Sequence, residues 1–299
     1  MVRLALSILA ALPLGLRQSI GYWGGSLFGA LPTRDRRIAA LQLERFLGAK
    51  DPERLARQAF AEAGRSALSA LNLAPLLPKV RSADAAFIRD LKESARPVLA
   101  LTAHLGPWDL LGAYAVAQGL AVATIGRAAR SPVLHEALAA LRAQYGITTF
   151  WRDDPKALRQ IIEHFKAGGL IAALIDQDTR VNGTFSTFFG CPAFTPSSLI
   201  EIARRFNAAI VTAFIIRTED GGYEVSVRPI AEGAPLENIL AEYHTRLEDL
   251  VTRYPAQWVW FHKRWRTLST GERLGSADYE HFLRDEIQRI HNTPTENRI

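Results

Sequence analysis

The rhythm of hydrophobic and polar positions changes twice along the chain. From the N-terminus, LALSILAALPLGL, then Arg17, then QSIGYWGGSLFGALPT form the least polar stretch, with Arg17 the sole charge between Arg3 and Arg34. A helical pattern follows, opened by Asp51 as N-cap with Pro52 at the first helical position and continued by Leu55, Phe60, Ala63, Ala67 and Leu71. From Pro97 the texture becomes short apolar runs: Val98 to Ala103, Leu120 to Ile125, Ile147 to Trp151, Leu170 to Ile175 and Ala208 to Ile216. These read as buried strands. Between them, Ser131-Pro132 opens a helix that Gly146 closes, and Asp154-Pro155 opens another that Gly168-Gly169 closes. Such alternation predicts an α/β fold with a mostly parallel central sheet flanked by helices, and places any site at the carboxyl ends of the strands. The turn Asp220-Gly221-Gly222 followed by YEVSVRP adds an antiparallel hairpin strand at one edge. With no repeat, low-complexity tract or Pro/Ser-rich linker, the expected division is a hydrophobic segment 1–33, a single α/β domain 34–291 and a polar tail 292–299.

The first 33 residues set a separate problem. The initial apolar run is shorter than the roughly 20 residues a spanning helix needs, and Pro13 and Gly15 interrupt it, yet a lone Arg can snorkel if the whole stretch is taken together. A signal peptide would place a small-x-small site after the run, where Pro-Leu-Gly-Leu-Arg stands instead. Tyr22 and Trp23 suit a water-lipid boundary, and Arg34, Arg36 and Arg37 follow directly. The expectation is an N-terminal membrane-anchor helix; spanning, lying in the interface and cleavage all stay open, with a buried core helix as the alternative. The composition adds little to this picture. A chain of 299 residues buries its core without staples, one Cys excludes an internal disulfide, and 22% charged with 48% hydrophobic residues excludes a disordered class. The net charge of +6 suits an anionic partner, whether a lipid surface, an acidic carrier protein or nucleic acid.

Candidate chemistry begins at the end of the first strand, VLALTA-His104-Leu-Gly-Pro-Trp-Asp109. A His leaves the sheet at its carboxyl edge and an Asp follows in the first turn of the next helix. Across the Gly-Pro turn the carboxylate can fold back to accept the imidazole N–H, which fixes the tautomer and leaves the other nitrogen to take a proton from a hydroxyl. The same spacing also suits a His at a helix start held by a capping Asp. Asp176 and Asp178 flank Gln177 at the end of the fourth strand; two carboxylates there could hold Mg²⁺, but the further oxygen ligands of a metal site are not identifiable. The lone Cys191, between Gly190 and Pro192 with no local His, reads as structural, and no G-x-S-x-G elbow occurs. Three Trp mixed with His262, Lys263, Arg264 and Arg266 would, alone, also fit stacking and phosphate contacts with nucleic acid. No Walker loop, dinucleotide fingerprint or Cys/His cluster is present, so no nucleotide cofactor is expected.

H-L-G-P-W-D after a hydrophobic strand resembles the H-x-x-x-x-[DE] motif of the glycerolipid acyltransferase superfamily, and more closely the late lipid A acyltransferases with their H-F-G-N-W-E. Two further blocks are similar in order and spacing: Asp176-Gln-Asp178 with Gly183, Thr187-Phe-Phe-Gly190, Pro192-Ala193 and Thr195-Pro196, and Pro255-Ala-Gln-Trp-Val-Trp-Phe-His262-Lys-Arg264-Trp265. The resemblance implies His104 as general base and Asp109 as its orienting carboxylate, with direct attack of a hydroxyl on an acyl thioester and no covalent enzyme intermediate. It implies that Arg127, just past the second strand, meets an anionic acceptor group or the developing oxyanion, whereas the bland reading is a surface Arg beside Arg130. Asp176, Gln177 and Asp178 become hydrogen-bond partners for substrate or basic side chains in the active-site wall. Phe185, Phe188 and Phe189 are expected to face an acyl chain or simply to be core, and His262 and Arg264 to lie on a strand and loop near the catalytic end, facing lipid phosphate or the carrier. Arg142 is read as structural or rim-positioned. The implied donor is an acyl-acyl carrier protein, with no other cofactor and no metal. The implied acceptor is a lipid A precursor or related anionic glycolipid, the location the cytoplasmic face of a bacterial inner membrane, and nucleic acid is not expected. Pro107 and Asp109 depart from the usual Asn and Glu, which keeps another glycolipid or a lysophospholipid open as acceptor.

Overall fold

The computed structural model describes residues 2–129 and 131–292; Arg130 and the tail from 293, named above, lie outside the described residues. The N-terminal stretch is two helices, α1 (Val2–Ala11) and α2 (Leu14–Ala30), broken where Pro13 removes a backbone donor. Helices α3 (Arg34–Leu47) and α4 (Pro52–Ala70) complete a helical layer. The α/β part then runs β1 (Val80–Ser82), α5 (Ala85–Glu93), β2 (Val98–Thr102), α6 (Trp108–Ala117), β3 (Val122–Gly126), α7 (Pro132–Gln144), β4 (Thr148–Trp151), α8 (Ala157–Lys166) and β5 (Leu170–Leu174). After a two-stranded ribbon, β6 (Gly183–Phe188) with β7 (Cys191–Pro196), come α9 (Ser198–Arg205), β8 (Ala209–Arg217), β9 (Tyr223–Pro229), α10 (Leu236–Arg253) and α11 (Ser276–Asn292).

The expected sheet is present, in the order β1-β9-β8-β2-β5-β3-β4, with β8, β2, β5, β3 and β4 mutually parallel. Alternation along β2 explains why helices cover both faces: Leu99 and Leu101 point into one apolar core, Val98 and Ala100 into the other. Strand β9 is antiparallel to β8 as its turn predicts, but it is not the edge, because the three-residue β1 pairs with it in parallel. The segment 257–266, expected as strand and loop, forms no named strand; a single-residue bridge joins Trp258 to Leu105, and the Gln257 amide accepts the Arg217 N–H and donates to the Arg217 carbonyl oxygen at the end of β8, each at 2.8 Å.

Of the possibilities open for the expected N-terminal membrane-anchor helix, spanning is not supported. No described helix is long and apolar enough to cross a membrane. At ~1.5 Å per residue, the 17-residue α2 reaches ~25 Å against a ~30 Å hydrocarbon layer, and one of its sides is occupied by α4. Glycines at every fourth position make that packing possible: a Cβ on Gly21 would lie 2.5 Å from the Gly64 carbonyl oxygen, and one on Gly25 or Gly64 would strike the facing backbone. Arg17 does not snorkel. It is 1% exposed and donates to the Ala10, Leu12 and Asn72 carbonyl oxygens at 2.9, 3.2 and 2.8 Å, which satisfies the end of α1 and joins it to the loop after α4. Because the helices meet backbone to backbone at Gly64, Gly64→Ile is expected to cost stability at the upper end of the ~1–3 kcal/mol of overpacking. A thermal melt matching the wild type would contradict the tight crossing.

Candidate active site

The site grows from strand register. Thr102 of β2 pairs with Leu174 of β5, and the strands run the same way, so the residues two places beyond each end, His104 and Asp176, emerge side by side. Asp176 Oδ1 lies 2.8 Å from His104 Nδ1, and Asp176 Oδ2 accepts the His104 backbone N–H and the Trp258 indole N–H, each at 2.9 Å. Asp176 is 1% exposed. Burial opposes its ionisation, but the adjacent His104 ring, with the hydrogen bonds from His104 and Trp258, outweighs burial and holds the carboxyl at about 2. An ionised partner on Nδ1 requires that nitrogen to carry the proton, which leaves Nε2 as acceptor on a side chain still 23% exposed.

The loop after His104 is fixed from the other side. Gly106 takes φ +58°, a left-handed conformation, and its N–H donates to the Gln257 carbonyl oxygen at 2.9 Å, while Val259 N–H donates to the His104 carbonyl oxygen at 3.1 Å. Gln177, next along the chain from Asp176, brings its amide nitrogen to 3.0 Å from His104 Nε2 and 2.8 Å from His262 Nε2. Burial, then the neighbouring His104, push His262 down to about 3, so it is a neutral acceptor.

The His104–Asp109 hydrogen bond expected from spacing is not formed. Asp109 stands in the first turn of α6 and accepts from Arg142 Nε at 2.9 Å, an ion pair between α6 and α7. With the buried Asp176 already on Nδ1, the imidazole has no second donor for Asp109. Asp109, Arg142 and Trp108 instead line a narrow, mostly apolar cavity with Thr102, Gly112 and Thr124 on the α6 side of the sheet. Trp108 connects the two places, its ring centroid 5.1 Å from that of His104.

Other expected site residues are placed elsewhere. Arg127 is exposed beyond β3. Asp178 accepts the Thr267 N–H at 2.8 Å and pairs with Arg273 at 3.0 Å, tying the end of β5 to the segment after Trp265. Arg264 is 0% exposed, donates to Thr195 Oγ1 at 2.7 Å and the Phe194 carbonyl oxygen, and lies 5.5 Å from the Phe188 ring, so it props the β6–β7 ribbon and cannot face lipid phosphate. Phe188 is equally buried, against Trp258, Trp265 and His244, and thus belongs to the core. Phe189 is half-buried with φ +50°, its N–H held by Glu248, and Phe185 packs edge-on to Phe194. Cys191 is half-buried, its thiol raised by burial, and accepts from Arg45 at 3.3 Å. The sequence motif gives Trp258 no role of its own; its contact with Asp176 depends on a bridge across the fold that local spacing does not announce.

A family model described as bacterial lipid A biosynthesis acyltransferase matches residues 1–267. The chain belongs to that family. Among curated proteins it is 32% identical over 120 residues to the lipid A biosynthesis palmitoleoyltransferase of Escherichia coli (strain K12). It is likewise 32% identical over 120 residues to the lipid A biosynthesis acyltransferase of Shigella flexneri. Each match covers 38% of this chain and 39% of the relative, well under two thirds of either relative's length. As a lipid A acyltransferase family member, the chain keeps the His of the motif at the carboxyl edge of the sheet, with Asp176 rather than Asp109 as its hydrogen-bonded carboxylate.

Proposed function

We propose that the chain is an O-acyltransferase that moves a fatty acyl group from acyl-acyl carrier protein to a hydroxyl of a lipid A precursor. That hydroxyl belongs to an already attached hydroxyacyl chain, so the product is an acyloxyacyl ester. The observation that carries the reading is His104, fixed by a buried, ionised Asp176 and open at Nε2, in a chain of this family. His104 Nε2 takes the hydroxyl proton as the oxygen attacks the thioester carbonyl, and Asp176 stabilises the imidazolium that forms. Collapse of the tetrahedral intermediate breaks the C–S bond, and the leaving thiolate recovers the proton from His104. The apolar cavity beside Trp108 is the place for the acyl chain, with the Asp109–Arg142 pair in its lining. Arg127, exposed at the same sheet edge, is available to an anionic group of the acceptor.

The reading places the enzyme on the cytoplasmic face of the inner membrane through α2 lying in the interface. Leu16, Ile20, Trp23 and Leu27 follow one helical stripe on the side away from α4 and are 40 to 69% exposed, and Leu31, just past the helix end, is 47% exposed. Arg34, Arg36 and Arg37 follow at the start of α3, where anionic headgroups would meet them. Each large apolar side chain withdrawn from lipid forfeits ~1.5–3 kcal/mol, so Trp23→Glu with Leu27→Glu is expected to lower vesicle binding at least ~10-fold in flotation. Undiminished flotation would remove α2 as the attachment surface.

The test of the reaction offers purified protein a panel of acyl-acyl carrier proteins with a lipid A precursor bearing Kdo sugars, other glycolipids and lysophospholipids, read by mass spectrometry. A gain of one acyl mass on the lipid A precursor is expected. A gain confined to another acceptor would replace the lipid A assignment.

A further inference from the structure

We infer that Gln177 is a catalytic donor that rests over the His104 ring, anchored on His262, and turns to the oxyanion when His104 takes its proton. The inference rests on the acyl-transfer reading and assigns to Gln177 a role which that reading leaves open. A carboxamide nitrogen has two N–H groups and no lone pair to offer. Here it lies within hydrogen-bond distance of two imidazole Nε2 atoms, at 3.0 Å for His104 and 2.8 Å for His262. The His262 contact requires an acceptor at that Nε2. Asp176 on Nδ1 of His104 gives that ring the required tautomer, and His262, half-buried beside His104, is neutral. The amide nitrogen is also 3.0 Å from His104 Nδ1, so it leans over the ring instead of lying along the in-plane lone pair of Nε2. A hydroxyl can therefore approach that lone pair while the amide remains in place.

Proton transfer reverses the matching. Once the hydroxyl proton sits on Nε2, the ring beneath the amide N–H is a cation, and the weak attraction of that N–H to the ring face is lost. In the same step the electrons of the thioester C=O move onto its oxygen, creating a new acceptor within reach of the atom that His104 has just served. The N–H released by His104 turns to that oxyanion, while the second N–H stays on His262. When the C–S bond breaks, the carbonyl re-forms, the thiolate takes the proton from Nε2, and the amide returns to its resting partner. His262 is thus the positioning residue that holds the pivot.

The test uses Gln177→Leu, which keeps the bulk and removes the donor, with two readouts. Steady-state acyl transfer is expected to lose ~100-fold in kcat, as for an oxyanion donor, with KM for the acceptor changed less than ~3-fold. The second readout needs no acceptor. Thioester hydrolysis by water, which passes through the same oxyanion, is expected to fall by the same ~100-fold. Loss of hydrolysis in a protein that leaves the lipid A precursor untouched would sustain the role of Gln177 while overturning the acceptor assignment. Retention of kcat within ~3-fold, a loss expressed in KM alone, or unchanged hydrolysis would overturn the proposal.

Discussion

His104→Ala is expected to abolish acyl transfer to within the assay background, a loss approaching ~10⁴-fold, at the top of what a positioned general base contributes. The size follows from the two tasks the proposed reaction gives His104, first as the acceptor of the hydroxyl proton and then as its donor to the departing thiolate. The ring is 23% exposed and belongs to neither apolar core, so its removal leaves both cores untouched. The measurement is kcat with a circular dichroism spectrum alongside. A native spectrum with more than a tenth of wild-type kcat would show that another group moves the proton.

Asp176→Asn is expected to cost ~10³-fold in kcat, and Asp109→Asn no more than ~10-fold, in the same assay. The hydrogen bonds of Asp176 decide the first figure. Its Oδ2 accepts two N–H groups, from the His104 backbone and Trp258, so an Asn keeps its oxygen there and turns its NH₂ toward His104 Nδ1. That NH₂ demands an acceptor at Nδ1, drives the ring proton to Nε2 and fills the lone pair the reaction needs. Asp109 is bonded to Arg142 and lines the apolar cavity, so its neutralisation disturbs the α6–α7 contact and the entry of the chain without changing the tautomer of His104. Equal losses from the two variants would return Asp109 to the role its spacing suggests.

Most strands of the sheet were legible because continuous apolar runs bounded by Gly and Pro leave few alternatives, and β2, β3, β4, β5 and β8 lie within a residue or two of the runs that predict them; the three-residue β1 was not, since Val80–Ser82 is no apolar run. The ribbon of β6 and β7 was not, since its aromatic and Thr-rich alternation serves a packed outgrowth held by Arg264 and not the sheet itself. His104 and the Asp-Gln-Asp run were recognisable as candidates from sequence. Their pairing was not, because the partner of His104 is set by which strands adjoin and in what register, and those contacts span 72 residues. Local spacing favoured Asp109, five residues away, which the helix start carries toward Arg142. The same contrast holds at the N-terminus. Gly21, Gly25 and Gly29 read as part of an apolar, membrane-seeking stretch, and only the position of α4 shows that one side of α2 is a backbone-close protein contact. Arg17 likewise looked like a charge in search of water, while the exposed carbonyls of α1 supply its partners.

The measurement that most directly tests the account is the rate of acyl gain on the lipid A precursor, followed by mass spectrometry for wild type, Asp109→Asn, Asp176→Asn and His104→Ala in parallel. The account predicts that order of decreasing rate, with a gap of at least ~100-fold between the two Asp variants. An Asp176→Asn enzyme as fast as, or faster than, Asp109→Asn would contradict the His104–Asp176 pair as the catalytic unit.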